Sequence, residues 1–208
     1  CCAGARRRSP IPGPDGRSLY TIEMPAEQAA FAAAQAGRDV VIASPTVPIG
    51  PDDWNMTPPA AMLALFLTGQ TPFFLDCTLN LVDVRDVAEG LRLVGEKGQA
   101  GQRYVLGGEN VPLRQLLSRL ERMTGRRMPS MALPGSLAMA VAIVAEWFAD
   151  HISHRSPVAV REGVRLALRS TAFDHSKARR ELGYEPRPID EALALAVAWL
   201  TERSVPRA

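Results

Sequence analysis

Short β-branched runs and longer stretches with helical periodicity alternate along most of the chain. Leu113, Leu116, Leu117 and Leu120 recur at spacings of three and four before Gly125, which predicts an amphipathic helix over 113–124. Similar reasoning predicts helices over 23–36, 60–67, 87–98, 176–182 and 189–203. Short apolar runs predict strands over 40–43, 72–75, 79–82 and 104–106. The alternation indicates the last part of a parallel α/β sheet with a mostly helical appendage.

The first predicted strand is followed by a segment rich in proline. Residues 44–59 contain five prolines and Gly50, which predicts a fixed loop. In open α/β sheets, ligands bind at the carboxyl ends of the strands. The sequence therefore predicts a functional site at this loop.

The chain divides into three regions by pattern. Residues 1–18 are rich in Arg, Gly and Pro without periodicity and predict an irregular lead-in, in which Arg6-Arg7-Arg8 is interpreted as a solvated tail. Residues 19–110 predict the remainder of the α/β domain. Residues 111–208 predict a mostly helical lobe that interleaves with it.

The most apolar stretch of the sequence covers residues 133–149. Gly135, Ser136 and Glu146 interrupt it, and it is shorter than the roughly 20 apolar residues that span a bilayer. A buried or groove-lining helix, a helix facing a membrane surface or partner, and a true span all remain open, in that order of preference. A further helix is predicted over 158–168.

Charge and cysteine usage exclude several functions. The 24 Lys and Arg are balanced by 22 Asp and Glu, so the net charge of +2 argues against nucleic-acid binding. Cys1, Cys2 and Cys77 have neither the number nor the spacing for a disulfide framework or a metal site. These features predict a cytoplasmic protein, and the start at Cys1 instead of Met suggests an internal fragment.

Four motifs in order carry a resemblance to a known superfamily. They are VVIASPTVPIGP at 40–51, LNLVDVRDVAEG at 79–90, RYVLGGEN at 103–110 and FDHSKARRELGYEPRPIDEAL at 173–193. Together they resemble the extended short-chain dehydrogenases/reductases, also called the NAD-dependent epimerase/dehydratase superfamily. Within it, the chain resembles hopanoid-associated sugar epimerases and dihydroflavonol reductase-like proteins. The resemblance implies the carboxy-terminal part of a Rossmann-like sheet with a small substrate lobe.

The resemblance also implies an activity and its residues. The family are NAD(P)-dependent oxidoreductases or sugar epimerases that transfer a hydride at a hydroxyl or carbonyl carbon, with a tyrosine as general acid/base, on a nucleotide sugar or similar small molecule. Carried over to this chain, the residues beside the cofactor are Pro45, Thr46, Val47 and Pro48, and those at the substrate are Asn55, Asn80 and Val82. Asp83 and Asp86 alone are better explained as an N-cap and a first-turn charge.

The chain departs from the family at the catalytic pair. The family register places the tyrosine at Tyr20 and, four residues later on the same helix face, its lysine at Met24, whose thioether can neither bind a ribose nor lower a phenol pKa. The glycine-rich turn for NAD or NADP is also missing. A truncated or frameshifted enzyme and an inactive homologue that binds a partner or lipid both fit. Strands missing from the sheet would leave an open edge that favours a homo-oligomer.

Overall fold

The computed structural model of the protein describes the backbone of residues 19–69, 72–134 and 172–204, with side chains from Ala26 to Arg203 within those ranges. The helices are α1 (Leu19–Gln35), α2 (Pro58–Thr68), α3 (Val84–Lys97), α4 (Leu113–Thr124), α5 (Ser176–Leu182) and α6 (Ile189–Ser204). The strands are β1 (Ile42–Pro45), β2 (Val47–Ile49), β3 (Phe73–Leu75), β4 (Thr78–Asp83), β5 (Arg103–Leu106), β6 (Glu109–Pro112) and β7 (Met131–Leu133).

Parallel pairing dominates the described strands. β1 pairs with β5, β2 with β4 and β3 with β7, all in parallel, while β6 runs antiparallel to β4. Parallel strands need crossover connections, and α2 and α3 lie in the connections that lead from β2 to β4 and from β1 to β5. The predicted α/β class is therefore confirmed.

Several element boundaries differ from the sequence prediction. α1 begins four residues early, so Pro25 lies inside the helix and not in its first turn. β1 begins two residues later than predicted and ends at Pro45. The proline-rich segment is not wholly a loop, because Val47–Ile49 forms β2 in register with Leu81–Asp83 of β4.

Two further strands were not predicted from the sequence. Glu109–Pro112 forms β6 against β4, although Gly and polar residues precede its apolar end. Met131–Leu133 forms β7 in register with Phe73–Leu75, so Leu133 does not begin a helix. The remaining residues of the helices predicted over 133–149 and 158–168 lie outside the described residues, apart from Pro134.

The buried core joins late helices to early strands. In the larger cluster, Leu193 of α6 and Leu116 and Leu120 of α4 pack with Leu81 of β4. In the smaller cluster, residues of α5 and the turn after it pack with Tyr104 and others of β5 and α3. The carboxy-terminal segment therefore stabilises both sheets that bear the predicted site, β1–β5 and β2–β4–β6.

None of the helices in the described ranges is both long and apolar enough to cross a membrane.

Close packing of α3 against β5 gives a test of the fold. Gly90→Ala is expected to lower the free energy of unfolding by about 1–3 kcal/mol, because the new Cβ would lie 2.8 Å from Leu106 Cδ2 and 3.0 Å from Tyr184 Cε2. Urea unfolding followed by circular dichroism measures the change.

Gly95, on the same helix, provides the matched control. A Cβ at Gly95 meets nothing within 4 Å, so Gly95→Ala should raise stability by about 0.5–1 kcal/mol through the lower entropy of the unfolded chain. Stabilisation by both substitutions would contradict the close approach of α3 to β5.

Candidate functional site

The candidate site begins where β1 passes into β2. Thr46 lies between these strands, and its backbone N–H donates to the Leu106 carbonyl oxygen at 3.3 Å. Its hydroxyl Oγ1 donates to Asn80 Oδ1 at 2.7 Å. The proline-rich segment is thus fixed to both β5 and β4 at a single residue.

Asn80 is a buried amide whose oxygen and nitrogen both have partners. Only 2% of the residue is exposed. Its Oδ1 also accepts the Gly108 N–H at 2.9 Å, and its Nδ2 donates to the Gly108 carbonyl oxygen at 3.3 Å and to Asn110 Oδ1 at 2.8 Å. A Cβ at Gly108 would lie 2.2 Å from the Leu81 carbonyl oxygen, so this close approach requires glycine.

Asn110 extends this network to the carboxy-terminal segment. Its Nδ2 donates to the Phe173 carbonyl oxygen at 3.1 Å, and its Oδ1 accepts the Phe173 N–H at 3.0 Å. The side chains of Thr46, Asn80 and Asn110 therefore join the proline-rich segment, the turn after β5 and the chain entering α5.

The loop from Gly50 to Thr57 has an unusual backbone. Asp52 and Met56 have φ values of 62° and 47°, a left-handed conformation that Asp tolerates but that Met rarely adopts. The Asp53 carboxylate accepts the Thr57 N–H at 3.1 Å and also the Thr57 hydroxyl. These contacts hold the loop in the conformation that leads into α2.

Two tryptophans connect this loop to the end of α6. The Trp54 and Trp199 rings are 5.7 Å apart between centroids and nearly perpendicular, at 86°. The Arg203 guanidinium lies 4.7 Å from the Trp54 centroid and 4.9 Å from that of Trp199. This cation–π arrangement fixes the outer part of the loop, although Trp54 itself is 69% exposed.

A cavity of about 470 Å³ lies between the loop, α2 and α6. Its apolar walls include Ile49, Pro59, Leu63, Ala196, Trp199 and Leu200. Its polar lining consists of Thr46, Asp52, Asp53 and Thr57. The volume and the mostly apolar walls are those of a small-molecule site, and the cavity adjoins the carboxyl ends of β1 and β2.

Two buried carboxylates lie at the start of α3, beyond the cavity. Asp83 caps the helix by accepting the Arg85 N–H at 2.8 Å, and the Arg85 guanidinium bridges Asp83 to Glu191 of α6. Burial alone would raise the pKa of Asp83, but its hydrogen bonds from Arg85 outweigh this and lower the pKa. Asp86 accepts the Arg187 N–H and Nε at 2.7 and 2.8 Å. The structural roles predicted for these two acids agree with this geometry.

The residues predicted to lie beside the cofactor and substrate come together in part. Thr46 and Pro48 line the cavity, Thr46 contacts Asn80, and Val82 is aligned with Pro48 in the β2–β4 register. Asn80 and Val82 are 2% and 1% exposed. Pro45 ends β1, Val47 begins β2, and Asn55 is an exposed residue of the loop. Contact of these residues with a ligand stays a prediction.

The predicted catalytic positions lie on α1. Tyr20 and Met24 are one turn apart on this helix, near its start. Their side chains are outside the described ones, so the predicted role of Tyr20 stays a prediction.

Sequence reasoning missed the residues that α6 contributes to the cavity. Ala196, Trp199 and Leu200 lie about 150 residues from the loop they face. Their helical spacing gives a signal for a buried face of α6 but not for what that face contacts.

A dinucleotide-binding turn is a glycine-rich loop that opens a helix. Gly107-Gly108 leads into a strand, β6, and not into a helix. The Gly108 N–H is already donated to Asn80 at 2.9 Å. These glycines therefore do not fit a pyrophosphate, which binds where free N–H groups open a helix.

Proteins of known name resemble the chain over much of its length. It is 40% identical to a candidate dihydroflavonol 4-reductase of Synechocystis sp., covering 84% of this chain and 52% of that protein. It is 32% identical to sterol demethylase protein B of Methylococcus capsulatus, covering 83% of this chain and 53% of that protein. The chain spans about half the length of these curated relatives. No protein-family model matches it.

Solved structures also resemble the chain over most of its length. The protein gox2253 has 34% sequence identity and a TM-score of 0.72, with 89% of this chain and 57% of that chain covered. These similarities confirm the resemblance to the extended short-chain dehydrogenases/reductases that the sequence motifs predicted. Two epimerase structures and a dehydratase structure, all solved with NAD, and the protein RMD of Pseudomonas aeruginosa, solved with NADPH, share its fold at TM-scores of 0.58 to 0.63 and identities of 16 to 25%.

The Asn80 network gives the first test of the site. Asn80→Ala is expected to lower the free energy of unfolding by about 2–4 kcal/mol, because Gly108 and Asn110 lose buried partners. Thr46→Val should lower the free energy of unfolding by less, about 1 kcal/mol. It should also speed amide hydrogen exchange in β2. Hydrogen exchange and urea unfolding measure these effects, with exposed Asn55→Ala as the control. An equal loss in the Asn55 variant would contradict the role of Asn80.

The lowered pKa of Asp83 gives a prediction on pH. A carboxylate whose pKa is lower in the folded state stabilises the fold above its ordinary pKa near 3.8, and this contribution is lost as the pH falls through the folded-state value. Asp83→Asn keeps a capping side chain but should lower stability at pH 7 by about 1–3 kcal/mol. The difference should shrink below about pH 4.

Urea unfolding from pH 7 to pH 2 tests the pH dependence. Asp39→Asn, an exposed acid, is the control and should show a difference near zero throughout. A pH-independent difference for Asp83→Asn would contradict stabilisation by its charge.

Proposed function

We propose that this chain forms the substrate side of an NAD(P)-dependent oxidoreductase or epimerase. Enzymes of this superfamily move a hydride between a nicotinamide and a hydroxyl or carbonyl carbon of a small molecule. The observation that carries the proposal is the cavity that adjoins the carboxyl ends of β1 and β2 and is lined by Thr46 and Pro48. These residues belong to the segment that the family resemblance places beside the cofactor.

The relatives' names support oxidoreductase chemistry at an alcohol or ketone. They include a candidate dihydroflavonol 4-reductase, and a ketoreductase of Stigmatella aurantiaca that is 37% identical over half of this chain. The structural neighbours that are named for nucleotide sugars are less similar in sequence, at 16 to 25% identity. The reaction class is therefore better supported than any one substrate.

Tyr20 is the residue proposed to move the substrate proton. Its position on α1, one turn before Met24, matches the spacing of the family's tyrosine and lysine. Met24 cannot donate a hydrogen bond to a ribose, and the described residues supply no pyrophosphate-binding turn. Tight binding of the dinucleotide is thus proposed to depend on residues outside the described ones.

Met24 favours a second candidate function. A chain without the lysine fits an inactive homologue that binds a partner protein or lipid. The two candidates differ in one measurable property, which is the capture of a nicotinamide cofactor.

Calorimetric titration with NAD, NADH, NADP and NADPH tests the proposal. The enzyme proposal expects one of these to bind with a Kd of about 0.1 mM or tighter. Met24→Lys should tighten this binding by about tenfold, because the ammonium restores a donor one turn from Tyr20. Tyr20→Phe should leave binding nearly unchanged and abolish any turnover.

Met123→Lys is the matched control for the added charge. Met123 is 40% exposed near the end of α4, so its replacement should not alter cofactor affinity. No binding of any cofactor by the chain or by Met24→Lys would reject the enzyme proposal in favour of the inactive homologue.

A further inference from the structure

The cavity beside the proline-rich segment carries charge of one sign only. Asp52 and Asp53 line it, and its described lining contains no Lys, Arg or His. Proteins hold a diphosphate with Arg or Lys, or with free N–H groups at a helix start. The two carboxylates repel such a ligand, and Arg203, which packs on the ring of the lining residue Trp199, is not itself part of the lining.

The helix that opens at this cavity also lacks an anion site. α2 begins with Pro58 and Pro59, which have no N–H groups, and Pro59 lines the cavity. The Ala61 N–H donates to the Thr57 carbonyl oxygen at 2.9 Å. The start of α2 therefore offers few of the free backbone N–H groups that usually bind phosphate at a helix N-terminus.

The hydroxyl groups of the lining have already donated their protons. Thr46 donates to Asn80, and Thr57 donates to Asp53. Their remaining lone pairs, like the two carboxylates, can only accept hydrogen bonds. The polar group of a ligand that binds these side chains must therefore be a donor.

The other walls are apolar. Ile49, Leu63 and Leu200 are 3%, 1% and 5% exposed and face the cavity with Ala196 and Trp199. Burying apolar ligand surface against them contributes about 25 cal/mol per Å². From its charge, its acceptors and its walls, we infer that the cavity binds a neutral, largely apolar alcohol and not a nucleoside diphosphate sugar.

This inference deepens the proposed function, because it names the substrate class of the same site. Its test uses no cofactor. The inference can therefore fail while the enzyme proposal stands, and the enzyme proposal can fail while the inference stands. If the chain binds NADH but no neutral alcohol, the inference fails alone. If it binds the alcohol but no nicotinamide cofactor, the proposed hydride transfer fails alone.

Equilibrium dialysis of the 208-residue chain against three probes is the experiment. The probes are dehydroepiandrosterone as a rigid neutral alcohol, its sulfate ester with the same body and one negative charge, and UDP-glucose. The alcohol is expected to bind at least about tenfold more tightly than its sulfate, and UDP-glucose should show no saturation. Equal or tighter binding of either anion, or no binding of the alcohol, overturns the inference.

Variants on α6 and α2 show whether the probe occupies this cavity. Ala196→Phe places a ring into the cavity and should weaken alcohol binding at least about tenfold, while Ala194→Phe on an exposed position of α6 should not. Ala60→Leu is the smaller change that serves if Ala196→Phe does not fold by circular dichroism. Unchanged binding in a folded cavity variant places the probe elsewhere and overturns the inference.

A charge-neutral variant tests the electrostatic part. Asp52→Asn suits the left-handed backbone at this position, where φ is 62°. It should reduce the preference for the alcohol over its sulfate at least about threefold, whereas Asp39→Asn should leave the ratio unchanged. An unchanged ratio in Asp52→Asn overturns selection by charge.

Discussion

The buried amide of Asn80 is the interaction on which the arrangement of the site depends. An amide removed from water must find partners for both its oxygen and its nitrogen, because an unsatisfied buried group costs about 1–3 kcal/mol. Asn80 finds them in Thr46 and in Gly108 and Asn110 of the segment after β5. Asn110 in turn binds the backbone of Phe173, at the entry to α5. The proline-rich segment, the turn after β5 and the entry to α5 can therefore occupy only positions compatible with one another, and the cavity inherits this rigidity.

Sequence reasoning succeeded where the determinants of structure are local. The leucines of α4 have helical spacing, and Gly125 follows with φ of 67°, so both the helix and its end were predictable. Asp83 was expected to cap α3 and does so through the Arg85 N–H. Such features are decided within one or two turns of chain, where propensity and capping act.

Features that depend on distant partners were not predictable in the same way. Strand β2 was not predicted, because proline disfavours a strand and Pro48 lies at its centre. The structure tolerates Pro48 because β2 is an edge strand, in which Pro48 is aligned with Val82 of β4. Strand β6 was not predicted, because polar residues precede Val111. Its pairing with β4 stabilises it. The cavity needs α6 to lie against a loop about 150 residues earlier, and no local pattern specifies that contact. The family resemblance located the proline-rich segment, but not the walls opposite it.

The Arg203 guanidinium packs against both Trp54 and Trp199, and this contact bears on how the cavity opens. Arg203 lies in the last turn of α6, which ends at Ser204. Terminal turns fray more readily than helix interiors. Fraying of this turn would withdraw the cation from both rings and loosen the outer loop. The fraction of molecules with an open cavity would therefore follow the helix–coil equilibrium of this single turn. Ligand exchange would then be set by local helix stability at the far end of the chain from the strands that bear the site.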